Sequence, residues 1–364
     1  MKKLIGRASN RLKLRTGLNP RIVRRLQLLW MAIKRETGIR IRNISRLTSV
    51  ELQVIVDAAV DKRLAEIDAL IDVRVAQAVA QRLFKPRLPP MNHDGASPFM
   101  PYSNCSTVDM LHPRYRELCA VLGSAPVLHR KIWEWVFVMH HLFQAGAVKG
   151  GKRGICFGVG GESLPALFAG RGASIMATDA PPEISEADGW VKTGQHTASR
   201  ESLRQPHMCP NDQFDKLVTY RHCDMNHIDA DLVDYDFAWS SCCFEHLGSI
   251  EAGIQFVVNC VERCLKPGGI AVHTTELNLS SDDDTIDTGS TVLYRRRDIH
   301  ELIRRLSERG HHVEPFKQAP DSHVLDFHVD VPPYTHDPHI KLKFGAYVTT
   351  SVGIVVRRGA TFSG

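Results

Sequence analysis

The chain has 364 residues, with 46 Lys and Arg, 40 Asp and Glu, and 43% apolar residues, a composition that excludes wholesale disorder. Its net charge of +6 hides a division: residues 1–46 hold fourteen basic residues and one acid, Glu36, a net +13, and the remaining residues carry −7. Nine cysteines without a C-x-x-C pair exclude a disulfide framework and give no zinc pattern, so a reducing cytoplasm is expected and no metal.

Asn19-Pro20 reads as a helix start, Asn capping and Pro in the first turn. Ile22, Leu26, Leu29 and Ile33 follow at helical spacing between arginines, a short basic amphipathic helix. No run of about 20 apolar residues spans a bilayer, and Met1–Ile5 lacks the apolar stretch of a secretory signal. Thr48-Ser49-Val50-Glu51 is a capping-box signature. The helix it opens runs to Leu83, with Leu52, Ile55, Ala59, Leu64, Ile67, Ile71, Val75 and Ala78 along one narrow stripe. Such a stripe on a helix of roughly 50 Å calls for a partner helix, so residues 48–83 are expected to form a homo-oligomer, as a coiled coil.

Residues 1–84 are therefore a helical extension. Pro86, Pro89, Pro90, Pro98 and Pro101 mark a linker, taken as residues 85–125. Pro126 to Val148 reads as a helix closed by Lys149-Gly150-Gly151. Strands and helices then alternate. Strands are predicted at Gly154–Phe157, Ser174–Thr178, Leu217–His222, Phe237–Ser240 and Ile270–Thr274, with two later ones at Val313–Phe316 and Tyr347–Val356. Helices are predicted at Glu162–Ala169, Ile250–Leu265 and Asp298–Arg309. This order predicts an α/β domain over 126–364 with a doubly wound, mostly parallel, Rossmann-like sheet. The polar stretch 180–212 interrupts it as a lid insertion, in which Trp190, Gln195 and His196 suit sugar stacking and hydrogen bonding.

Phe157-Gly158-Val159-Gly160-Gly161-Glu162 lies between a strand and a helix, where glycines let a ligand approach the main chain. Asp179, at the end of the next strand, can accept hydrogen bonds from ribose hydroxyls. Dinucleotides and S-adenosylmethionine both use this geometry. Ser163 stands where a dinucleotide fingerprint wants its third glycine, and Glu162 at the helix start repels a pyrophosphate. The loop favours S-adenosylmethionine, which brings a sulfonium and no phosphate.

Leu265-Lys266-Pro267-Gly268-Gly269 before the fifth strand, Cys223-Asp224-Met225 after the third, and Ser240-Ser241-Cys242-Cys243-Phe244-Glu245-His246 after the fourth complete the set. Together with the glycine loop they resemble class I S-adenosylmethionine-dependent methyltransferases over residues 150–316. They are most similar to bacterial enzymes associated with surface polysaccharides and glycans, which share stretches like Gly194-Gln195-His196, Ser240 to Gly248 and His273-Thr274-Thr275-Glu276-x-Asn278. The resemblance implies cofactor contacts at Gly158, Gly160, Gly161, Glu162, Asp179, Asp224, Met225 and Ser240, and a substrate contact at Asn278. Cys156 or Phe157 replaces the acid usual at the first strand's end, so that contact must come from elsewhere, Glu162 being one source.

A hydroxyl acceptor must lose its proton during transfer, so a base is needed within hydrogen-bond reach. His246 is the first candidate, and Glu245 and Glu276 are the alternatives. Asp282-Asp283-Asp284 reads as a solvated turn or a divalent-metal group. His323, His328, His336 and His339, with Asp326, Asp330 and Asp337, read as metal ligands, a substrate surface or scattered surface histidines. The expected activity is O-methylation of a glycan or glycolipid intermediate. The alternatives are a small-metabolite or amine methyltransferase, and a non-catalytic membrane-side scaffold. The acidic body and the single aromatic of the arm, Trp30, argue against nucleic acid. The arm, residues 1–46, suits an anionic membrane surface and a peripheral place at its inner face.

Overall fold

A computed structural model describes residues 49–83, 97–187, 197 and 199–360. Helix α1 (Ser49–Leu83) belongs to one compact unit, Met1–Lys85, and the other described residues to a second, Pro86–Gly364. The basic arm and Trp190, Gln195 and His196 lie outside the described residues. On α1, Val60, Leu64, Ile67, Leu70, Ile71 and Val75 are each 41–54% exposed. Among the described residues no helix is long and apolar enough to cross a membrane.

The second unit opens with α2 (Thr107–Leu111), α3 (Pro113–Val121) and α4 (Arg130–Gln144). Part of the stretch expected to be linker is thus core. Tyr115, Leu118 and Cys119 are buried, and Pro113 starts a helix instead of ending one. The central strands are β1 (Arg153–Phe157), β2 (Ser174–Asp179), β3 (Val218–His222), β4 (Tyr235–Ser241) and β6 (Leu265–Asn278). They are parallel in the order β3-β2-β1-β4-β6. Strand β11 (Tyr347–Arg357) then runs antiparallel along β6, from Thr349 opposite Asn278 to Arg357 opposite Ile270. Beyond it lie β10 (Lys341–Phe344) and β9 (Val329–Asp330), while β8 (His312–Val313) pairs with one end of β11. A small ribbon joins β5 (Gly248–Ser249) to β7 (Thr288–Gly289).

The Pro-Gly-Gly turn is absorbed into β6 as an irregularity: Tyr235 pairs with Leu265 and Phe237 with Ile270, so Lys266 to Gly269 bow outward. The helix expected to reach Leu265 is α8 (Ile250–Asn259), followed by a wider π-type turn at Cys260–Cys264.

Two apolar cores sandwich the sheet. One gathers Trp133 and Phe137 of α4 with Phe168 of α5 (Leu164–Gly170) and Phe214 of α7 (Asn211–Leu217), which follows the short α6 (Pro182–Ala187) in the chain. The other gathers Phe256 and Val257 of α8 with Ile299 and Leu302 of α9 (Arg296–Glu308). Helix α4 lies very close to β11 because residue 353 is glycine: a Cβ there would stand 2.1 Å from the Phe137 ring. That approach carries the charged start of α4 to the ends of β4 and β6, where a ligand crevice forms in this fold.

Candidate active site

The glycine loop leaves β1 with Gly158 at φ +61° and Gly160 at φ +50°, left-handed conformations that favour glycine. A Cβ on Gly158 would lie 2.7 Å from Cys243 Cβ, so the loop packs directly against the end of β4. Cys243 Sγ donates to the Phe157 carbonyl at 3.3 Å. Nothing stands within 4 Å of where a Gly161 Cβ would be, so that side of the loop is open.

Asp179 ends β2 almost buried. Its Oδ2 accepts the Gly160 N–H and the Thr197 N–H, each at 3.0 Å, and its Oδ1 accepts the Ala180 N–H at 2.8 Å. The Thr197 hydroxyl donates to the Gly160 carbonyl, and Tyr220 Oη donates to the Thr197 carbonyl at 2.5 Å. One residue of the expected lid therefore touches both the loop and the carboxylate. Met225 is buried beside Gly158, its Sδ 3.7 Å from where a Gly158 Cβ would stand. Asp224 is partly exposed and holds the Asn226 N–H and His227 Nδ1, each at 2.8 Å.

Glu162 reaches back to the end of β1. Its Oε1 accepts the Trp239 indole N–H at 2.6 Å and the Cys156 thiol at 3.1 Å. Burial, the largest influence, pushes its carboxyl up to about 7. Glu162 thus places a buried carboxyl at the end of β1, where the strand itself has none. Ser240 is fully buried, its hydroxyl bonded to His273 Nδ1 at 2.7 Å, so it faces the interior of the sheet and not the crevice.

A second cluster is built where β4 and β6 end against α4. Cys242, at φ +52°, turns the chain into the short helix Phe244–His246. His246 Nδ1 lies 2.7 Å from the Ser290 carbonyl, which accepts its N–H and leaves Nε2 as the basic nitrogen. That Nε2 is 3.9 Å from Glu245 Oε1. Glu245 is buried, its Oε2 accepts from Thr275 Oγ1 at 3.0 Å, and its Oε1 has no hydrogen-bond partner. Burial raises the Glu245 carboxyl above the usual range, against the opposing pull of His246.

Glu276 is engaged differently from a base. Its Oε1 is 2.5 Å from Arg130 and its Oε2 accepts from Thr349 Oγ1 at 2.9 Å. Burial would raise its carboxyl, but Arg130 and then Lys131 hold it below the usual range. An ionised, paired carboxylate is a weak proton acceptor. Arg130 also contacts Glu134, Cys242 Sγ and Ser351 Oγ, and Lys131 lies 3.5 Å from Glu134. Sequence reading missed Arg130, Lys131 and Glu134. The signal was present: the two cations and Glu134 stand among the apolar residues of a helix, and Arg130 and Glu134 are buried.

Asn278, expected to bind substrate, has its amide fully used in shaping the next loop. It donates to the Asp284 carbonyl and Thr285 Oγ1 and accepts from the Ser280 and Ser281 amides. Asp282 pairs with Arg296 and Asp283 with Arg297, so part of that acidic run is an ion-paired surface turn. Cys242, Glu245 and Glu276 lie within 4.8 Å of one another, but Arg130 already supplies the cation there. A cavity of about 70 Å³ lined by Met100, Phe137, His141 and Phe316 shares none of these site residues.

Residues 155–273 match a family model described as a methyltransferase domain. The chain carries an S-adenosylmethionine-dependent methyltransferase domain. No curated protein sequence matches it. Similar solved structures include phosphoethanolamine N-methyltransferase 2 of Haemonchus contortus, 15% identical with a TM-score of 0.38, over 70% of this chain and 57% of that one. Another is an S-adenosylmethionine-dependent methyltransferase of Mesorhizobium loti, 14% identical with a TM-score of 0.35, over 60% of this chain and 96% of that one. A third, from Clostridium acetobutylicum, is 11% identical with a TM-score of 0.34, over 64% of this chain and 92% of that one.

The cradle fits the cofactor of such a domain. The left-handed glycine turn, the open side at Gly161, the Asp179 carboxylate and the Met225 side chain meet at one place. Gly158, Gly160 and Gly161 would line it, Asp179 would receive ribose hydroxyls beside or in place of the Thr197 N–H, and Met225 would pack against an adenine ring.

Proposed function

We propose that the enzyme methylates a hydroxyl oxygen, on a glycan or glycolipid intermediate. The observation that carries this reading is His246: the Ser290 carbonyl fixes its tautomer, so Nε2 stands ready as a base on the acceptor side of the crevice. S-adenosylmethionine supplies the methyl group on a cationic sulfur. The chain must do the rest. The glycine loop and Asp179 orient the donor, Arg130 and Glu134 fix the ends of β4 and β6, and His246 Nε2 takes the acceptor proton. Glu245, with one buried oxygen lacking a partner, accepts a second acceptor hydroxyl or stabilises the protonated imidazole.

A second reading, an amine acceptor, draws on charge. Glu134, Glu245 and Glu276 face Arg130 and Lys131, leaving an excess of buried carboxylate that suits a cation. Incubating the enzyme with radiolabelled cofactor and cell extract separates the two. Label in a carbohydrate or lipid fraction as an alkali-stable ether supports the first, and label on an amine replaces it.

The glycan class rests on the sequence resemblance. The placement rests on the charge of the arm and the apolar stripe of α1: the arm at an anionic inner leaflet, on the cytoplasmic side, with α1 pairing two copies of the chain. Leu64, Ile67 and Ile71 recur at spacings of three and four with their side chains half-exposed, the pattern a second identical helix covers. Light scattering of the chain with these three residues changed to Gln should show dissociation. An unchanged mass would end that reading.

A further inference from the structure

We propose that His129, His336 and His339 form a binding site for a divalent metal ion of the zinc class. Their candidate ligand nitrogens all lie within 4.8 Å of one another. Tetrahedral ligation at about 2.0–2.1 Å puts ligand nitrogens roughly 3.3 Å apart. The rings need to close by at most about 1.5 Å, within the reach of side-chain rotation.

The backbone brings the three together from distant places in the sequence. His129 caps α4, and its segment bridges that of His339: the Arg130 N–H donates to the His339 carbonyl at 3.0 Å, and the His339 N–H to the Leu128 carbonyl at 2.7 Å. His336 sits three residues before His339 at φ +64°. One buried carboxylate, Asp330, organises the loop that carries both. It accepts the Thr335 and His336 amides at 2.9 and 3.0 Å and lies 2.7 Å from His339 Nδ1. An imidazole that gives its Nδ1–H to a carboxylate presents Nε2 outward as an oriented, more basic ligand, which is the usual outer support of a zinc histidine. The His129 and His339 rings stack with centroids 4.6 Å apart, and Tyr334 packs edge-on to His339 at 5.3 Å.

His129 must change one contact. Its Nδ1 now accepts the Lys131 N–H at 3.1 Å, so its neutral ring carries the proton on Nε2. Ligation through Nε2 exchanges that cap bond for the metal bond. Lys131 is then the amide whose protection reports occupancy. His336 is exposed, which gives the ion an entry path and leaves a fourth position for water or another exchangeable oxygen. The site adjoins the acceptor side, because Arg130, next to His129, holds Glu276. It does not depend on which acceptor is methylated.

The test uses the full-length, untagged, chelator-treated protein and Co²⁺ as a probe. One equivalent of Co²⁺ should give tetrahedral visible absorption that Zn²⁺ abolishes, with faster hydrogen exchange at the Lys131 amide. His336→Ala, at an exposed position, should fold normally and lose at least tenfold in affinity. Asp330→Asn should weaken binding by about 10–100-fold. Absence of stoichiometric binding would overturn the proposal, as would equal affinity in His336→Ala. A thiolate-to-cobalt charge-transfer band would also overturn it by moving the ligands to the cysteines.

Discussion

Replacing Glu162 with Gln should stabilise the protein above neutral pH and leave it nearly unchanged in acid. Burial raises this carboxyl from 4.5 to about 7 in the folded state. Between these values the folded chain holds a proton that the unfolded chain has released. Stability therefore falls as pH rises through the window, and the penalty is complete above pH 7. A shift of about 2.5 units at 1.36 kcal/mol each amounts to about 3 kcal/mol. Gln removes the charge and keeps an oxygen for the Trp239 indole, whose bond to Oε1 is 2.6 Å. At roughly 2–4 °C per kcal/mol for a body of this size, the variant should melt about 6–12 °C above the parent at pH 8. At pH 5 the two should agree within about 1 kcal/mol, because Glu162 is then protonated. Chemical denaturation at both pH values measures the difference directly. An equal effect at pH 5 and pH 8, or a loss of stability at pH 8, would refute the idea that Glu162 is a buried acid held against its solvation.

His246→Ala should lower kcat by about 10²–10⁴-fold while cofactor affinity, read by calorimetry, stays within a factor of two. Unchanged turnover would remove His246 as the base. Arg130→Ala strands the buried carboxylates of Glu134 and Glu276 and should cost about 3–5 kcal/mol in urea denaturation. An effect below 1 kcal/mol would show that the cluster is wetter than its burial implies. Gly158→Ala places a methyl group 2.7 Å from Cys243 Cβ on a backbone at φ +61°. It should cost about 1–3 kcal/mol and sharply reduce cofactor binding, whereas Gly161→Ala, into open space, should preserve the fold.

The parallel core was legible because its signals are local. Each strand and its following turn lie within a few residues, so Gly158, Asp179 and Asp224 could be placed at strand ends from spacing alone. Ser240 and Asn278 were drawn to ligands by their position in a motif. Spacing fixes which strand end a residue occupies, but the interior partner of its side chain is set across the sheet, by His273 for one and the 280–285 loop for the other. Arg130 and Glu134 precede every motif and owe their role to β11, whose Ser351 faces Glu276 only after the sheet is assembled. Helices α2 and α3 were hidden by prolines that read as linker until Pro113 is seen to open a helix. The gathering of His129 with His336 and His339 spans some two hundred residues and leaves no periodic trace in the sequence.

Thr197 bonds Asp179 through its amide and Gly160 through its hydroxyl, the same two groups that would receive the donor. If the donor takes the place of the Thr197 N–H, release of that contact and occupation of the cradle are linked events, and linkage works in both directions by the same factor. A change at Thr197 that removes its hydroxyl bond to Gly160 should tighten cofactor binding without touching the cofactor. Conversely, the bound donor should alter hydrogen exchange at the Thr197 amide. Donor affinity would then depend on Thr197 as much as on the glycine turn.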